Sequence, residues 1–297
     1  MTTLPFDQGV PVIHVGIEES WRASGVLDWA LHESSVRHLP IRAVHVIDER
    51  VRRMPRWDPA MVDEAAMELV DDVQTYLDGS GDASEHEVEL VVGRPVEALC
   101  RISGRGQLLV VGRRGTGAFR RLLIGSTAEA VAADAPVPVV VVPDGWRAGE
   151  QTGPVLAGLH ETDEQEAVMS FAVAAAFERD VPLRVMHAWD LPGLRGWDGM
   201  DLASLAAELE SEARLRFNAV AEGWRGTYPE QSIEVEIGQG HPVGCLVQAA
   251  ETSGAQLLVV GKRSRLSPGS KVPGSVTRGV IQHAACAVAV IDAAARG

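Results

Sequence analysis

Apolar residues in this chain follow two spacings. Short runs of Val, Ile, Leu and Ala occur at 10–17, 41–47, 87–92, 107–111 and 137–142, bounded by glycine, proline or charged residues. Between these runs, apolar positions recur every three to four residues, as at Leu27, Ala30 and Leu31. The runs predict strands, and the intervening segments predict helices over 21–37, 61–77, 95–102 and 126–133. Pro40 closes the first helix and Gly79-Ser80-Gly81 the second, while Pro55 and Pro59 mark an irregular connection.

The order then repeats. Strands are predicted at 154–159, 183–189, 233–237, 256–260 and 287–291, and helices at 202–222, 242–252 and 275–283. Val168, Phe171, Ala172 and Ala175 trace the apolar face of one more helix. The hexapeptide Gln-Leu-Leu-Val-Val-Gly stands at 107–112 and again at 256–261, half a chain length later in 297 residues. One domain copied in tandem is the reading, over 1–146 and 152–297, with the polar, glycine-bearing stretch 145–154 as linker. Continuous apolar strands alternating with helices predict an α/β fold, each half a doubly wound parallel sheet covered on both faces. Such sheets bind ligands beyond the carboxyl ends of their strands, where strand order reverses.

Composition narrows the chemistry. A net charge of −14 disfavours a nucleic-acid-binding face. Cys100, Cys245 and Cys286 lack CxxC spacing and read as small buried hydrophobes in a reducing compartment. Residues 1–9 lack a basic segment followed by a long apolar run, and no stretch approaches the ~20 apolar residues of a membrane span. A cytosolic protein is expected.

The chemistry concentrates in the loop after each hexapeptide. The first reads Gly112-Arg113-Arg114-Gly115, nine residues, then Gly125-Ser126. Gly112 and Gly115 leave main chain uncovered, and Ser126 is expected at the N-cap of the next helix, beside amides that can meet an anion. The second reads Gly261-Lys262-Arg263-Ser264, then Gly274-Ser275. Arg113, Arg114, Arg120 and Arg121 in one loop, and Lys262, Arg263, Arg265 and Lys271 in the other, suggest compensation of polyphosphate charge in an acidic protein. GxxxxGK[ST] is absent, which excludes a P-loop. His45 and His187 read as core histidines bonded to backbone. Trp57 and Trp197 lie in the long connections after the second strands, either pinning a loop or stacking on a bound base. Neither metal-ligand spacing nor a nucleophile beside a base is legible.

Gly-x-x-Gly, nine residues, then Gly-Ser after a Val-Val-Gly strand end resembles the ATP-binding signature of the universal stress proteins. Val44-His45-Val46, Met186-His187-Ala188, Gly93-Arg94-Pro95 and Gly240-His241-Pro242 support the resemblance, which covers nearly the whole chain. It implies a five-stranded sheet in each half and an adenine nucleotide, ATP, as ligand, with magnesium carried in on the phosphates. The implied first site comprises Gly112, Arg114, Gly115, Gly125 and Ser126, with Glu18 near the nucleoside and Val46 at the adenine edge. The second comprises His160, Ala188, Gly261, Ser264, Gly274 and Ser275. Glu18 and His160 replace the family's aspartate, and Ser264 replaces a motif glycine, so the first site is the better preserved. The resemblance further implies a nucleotide-dependent regulator in a stress or dormancy response, with at most slow hydrolysis. It also implies pairing through the fifth strands, within the chain or across a homodimer; Pro138 fits a strand start or sheet edge. The alternative reading is a scaffold whose sites have decayed and which acts through protein contacts.

Overall fold

The computed structural model describes residues 11–81, 85–115, 124–160, 165–190, 202–262 and 273–292. The chain divides into two compact units between Glu150 and Gln151. The first runs β1 (Ile13–Ile17), α1 (Trp21–Ser24), α2 (Val26–Arg37), β2 (Ile41–Asp48), α3 (Glu49–Arg52) and α4 (Pro59–Gly79). It continues through β3 (His86–Gly93), α5 (Pro95–Ser103), β4 (Leu108–Gly112), α6 (Ser126–Asp134) and β5 (Val139–Val142). The second begins with β6 (Val155–Gly158), α7 (Gln165–Glu178), β7 (Leu183–Trp189), α8 (Leu202–Thr227) and β8 (Ile233–Gln239). It ends with α9 (Pro242–Ser253), β9 (Leu257–Gly261), α10 (Ser275–His283) and β10 (Ala287–Ile291).

All strands of the first unit run parallel in the order β3-β2-β1-β4-β5, with Ile13 beside both Ile41 and Leu108. The second unit repeats this as β8-β7-β6-β9-β10, with Val155 beside Leu183 and Leu257. The inner strands are buried on both faces: Ile13, Val15, Leu109 and Val110 are fully buried, as are Val155, Leu156, Leu258 and Val259. That is the condition under which a parallel sheet is stable between two helical layers. Strand order reverses between β1 and β4, so the chain leaves these neighbours toward opposite faces and opens a crevice at their carboxyl ends.

Several boundaries differ from the periodicity reading, each for a local reason. The helix expected over 21–37 is broken at Gly25, whose φ of 72° caps α1 and starts α2. A β-carbon there would run into the Trp146 carbonyl. The irregular connection after β2 contains α3, because the Asp48 carboxylate accepts from the Arg50 amide and caps a turn. Asp58 does the same for Ala60, so α4 starts at Pro59, ahead of the expected 61. The strand expected from 137 begins at Val139; Pro138 precedes it and lends its carbonyl to the Leu109 amide. Helix α8 runs through Gly223 and Gly226 to Thr227, beyond the expected 222. The glycines there have open space around them, and Trp224 stacks on Tyr228 one turn later.

Candidate functional site

A cavity of about 730 Å³ lies at the carboxyl ends of β1, β2 and β4 in the first unit. Gly16, Ile17 and Glu18 bound it from β1, Val44 to Ile47 from β2, and Val111, Gly112, Arg114 and Gly115 from β4 and its loop. Gly125, Ser126 and Thr127 close it from the start of α6. The opposite wall is apolar: Met61, Val62, Ala65 and Leu69 of α4, with Val51 and Trp57 at the rim. One end is therefore apolar, and the other is formed by the glycine-bearing loop and the start of α6.

The floor is pinned by His45. Its Nδ1 donates to the Ile17 carbonyl at 3.1 Å, which fixes the tautomer and ties β2 to the end of β1. His187 makes the same bond to Leu159 in the second unit, at 3.0 Å, and stacks on Phe217. Both histidines are core residues, as their positions in the strands suggested. Trp57 is about half exposed, with Arg56 over its ring, and faces the cavity from the rim.

At the main-chain end, the Gly125 amide donates to the Arg113 carbonyl at 2.8 Å and closes the loop. The first helical bond of α6 runs from Glu129 to Gly125, so the amides of Ser126, Thr127 and Ala128 precede the helical ladder. These amides and the helix dipole favour an anion at this end. The N-cap is Gly125, however, and Ser126 is the first helical residue. Likewise Gly274 caps α10 and Ser275 follows it. The expected serine caps are corrected: a glycine holds each cap, and so the cap residue itself offers no side chain to the amides.

Glu18 lies on the same wall. Its carboxylate accepts from the Ser20 hydroxyl, and its Oε2 sits 2.5 Å from where a β-carbon on Gly115 would stand. The approach that Gly115 permits is thus one by the Glu18 carboxylate. The basic residues are less available than their number in the sequence suggests. Arg114 is ion-paired with Asp144, just after β5, and Lys262 with Asp292, just after β10, at 3.1 Å. Lys262 is buried, and Arg113 is partly buried, which lowers its affinity for a proton. Arg120, Arg121, Arg263, Ser264, Arg265, Lys271 and Trp197 lie outside the described residues.

In the second unit, Gly274 donates to the Lys262 carbonyl at 3.2 Å, the counterpart of the first loop closure. Register equates Met186 with Val44, since each sits opposite the strand glycine, Gly158 or Gly16. Ala188 is half-buried at the end of β7, while His160 is exposed and its carbonyl accepts from Gln165. Sequence reasoning missed Ser20, Asp144 and the α4 wall. The Glu-x-Ser spacing of Glu18 and Ser20 was a usable signal; the Arg114–Asp144 pair, thirty positions apart, left none.

Among the described residues, no three His, Cys, Asp or Glu side chains cluster to hold a metal ion, and no helix is long and apolar enough to cross a membrane.

The universal stress protein family signature matches residues 11–143 and again 152–292. A universal stress protein of Mycolicibacterium smegmatis is 30% identical over 294 residues, covering 94% of this chain and 96% of its own. One of Mycobacterium tuberculosis is 29% identical over 293 residues, covering 94% and 95%. A crystal structure of a universal stress protein from Archaeoglobus fulgidus shares the fold, with a TM-score of 0.70 at 21% identity over 97% of this chain and 100% of that one. Two successive matches, near-complete coverage and a shared fold show that this chain belongs to the universal stress protein family, with the family domain present twice.

Proposed function

We propose that the first unit binds an adenine nucleotide, ATP, and that the chain acts as a nucleotide-dependent regulator in a stress or dormancy response. The observation that carries this reading is the two-ended cavity. A planar base fits the apolar slot between Val44–Ile47 and α4, where the Val46 main chain offers hydrogen bonds to its edge. A phosphate chain fits Gly112, Gly115, Gly125 and Ser126, where uncovered main chain and the α6 amides favour an anion. Trp57 stands at the rim, placed to cover a base. Hydrolysis is slow at most in this reading.

Equilibrium dialysis with ATP tests it. Saturable binding at micromolar to low millimolar nucleotide, abolished by Ala65→Trp in the apolar slot, is the expected result. An absence of binding at millimolar ATP would leave the alternative, a scaffold acting through protein contacts. The second unit is the place where that alternative has support. Met186 is bulkier than Val44, Lys262 is held by Asp292, and His160 brings no fixed negative charge. One occupied site per chain is therefore expected, with His160, Ala188, Gly261, Gly274 and Ser275 forming the weaker one. Pairing through the fifth strands, within the chain or across a homodimer, belongs to the same proposal, and sedimentation velocity tests the homodimer.

A further inference from the structure

We propose that Asp144 is a resident counter-anion that a nucleotide phosphate displaces from Arg114, and that this displacement loosens the chain where it leaves the first unit. Phosphate binding is then read at residues 144–150, the covalent path to the second unit. This inference rests on the nucleotide reading above and concerns the regulation of the same site.

The exit segment is tied to the cavity from both sides of the strand reversal. Asp144 pairs with Arg114 of the loop after β4; Arg114 lines the cavity and Asp144 does not. The Gly145 amide donates to the Ala23 carbonyl at 3.1 Å, inside α1, whose Trp21 and Ser24 also line the cavity. The Trp146 carbonyl covers Gly25, and the Trp146 indole is buried, its ring 6.0 Å from that of His32. The tie through Asp144 is the one that a ligand can replace. The Arg114 and Asp144 side chains are 42% and 29% exposed, so water screens the pair and its exchange costs little. A phosphate offers the same guanidinium two oxygens in a fork and, in a polyphosphate, more charge than one carboxylate. Burial lowers the proton affinity of Arg113 and Asp144 works against it, so one carboxylate is counter-ion to both arginines of the loop. Once Arg114 turns to phosphate, Asp144 faces added negative charge, and a tie of the exit segment becomes a repulsion. The pair after β9 and β10 lacks this freedom: Lys262, 3.1 Å from Asp292, has a side chain 5% exposed.

Hydrogen–deuterium exchange of the full chain, with and without saturating ATP, tests the proposal. On adding ATP, amides at 112–115 and at the start of α6 should slow, while those at 144–148 should exchange about threefold faster. Asp144→Asn should show the faster exchange without ATP and gain little more with it. The same variant should bind ATP more tightly, because its Arg114 is no longer engaged. Unchanged or slower exchange at 144–148 in wild type with ATP bound would overturn the proposal, and that comparison decides even if the variant fails to fold. A folded Asp144→Asn that binds ATP no better than wild type would overturn it as well. No ATP binding by wild type in dialysis would instead overturn the nucleotide reading, and the inference with it.

Discussion

The carboxylate of Glu18 occupies the ground beside Gly115 where any larger residue would put its β-carbon, its Oε2 2.5 Å from that point. These two positions, one after β1 and one after β4, meet because β1 and β4 are neighbours in the sheet. The contact joins the two loops that the strand reversal leaves open.

Gly115→Ala should therefore act on binding more than on folding. The new methyl group meets the end of a flexible side chain, which can swing aside, so a stability change within about 0.5–1 kcal/mol is expected. ATP affinity should fall at least tenfold, since the methyl covers main chain needed by phosphate. Calorimetric titration beside urea melts separates the two effects.

Gly25→Ala should do the reverse. Gly25 has φ of 72° and is overlain by the Trp146 carbonyl, so alanine meets both backbone strain and a main-chain clash. Left-handed backbone alone costs an L-residue roughly 1–2 kcal/mol, and a total above about 2 kcal/mol is expected in urea denaturation.

His14, buried in β1, makes stability pH-dependent. Burial and the nearby Arg42 guanidinium lower its pKa from 6.5 to about 4. The unfolded chain then binds the extra proton between those values, so the contribution is fully present above about pH 6.5 and lost as pH falls toward 4. Linkage gives a loss of about 2 kcal/mol at pH 5 relative to neutral pH. Urea melts at pH 7.5 and pH 5 should show that drop in the wild type and a smaller one in His14→Val.

Lys262 and Asp292 form an ion pair with the lysine nearly enclosed, its side chain 5% exposed against 22% for the aspartate. Asp292→Ala takes that carboxylate from a buried ammonium and should cost about 3 kcal/mol. Lys262→Met removes the charge that needs compensation and should cost clearly less. Thermal melts of the two variants, compared side by side, decide the order.

Much of this architecture was legible in the chain. The runs at 183–189, 275–283 and 287–291 coincide with β7, α10 and β10, because strong periodicity and burial agree there. The tandem plan followed from the repeated Gln-Leu-Leu-Val-Val-Gly, and the cavity lies where a strand reversal places it. Periodicity fails where a single side chain decides local structure. Asp48 and Asp58 create helix starts by capping amides, and Gly25 breaks a helix whose apolar spacing continues through it. Ser126 was expected to cap because serine caps well in isolation; here Gly125 holds the cap, and its amide closes the loop onto Arg113. Long-range pairing stays out of reach of spacing. Nothing near Arg114 announces that Asp144 neutralises it, and nothing near Glu18 announces Gly115.

The most direct measurement is native mass spectrometry of the purified chain, followed by identification of the released ligand, for wild type and Gly115→Glu. Wild type should retain about one adenine nucleotide per chain, and Gly115→Glu, folded to the same melting temperature within a few degrees, should retain almost none. Equal nucleotide loads in the two proteins would contradict the assignment of the phosphate end to the loop between Gly112 and Ser126.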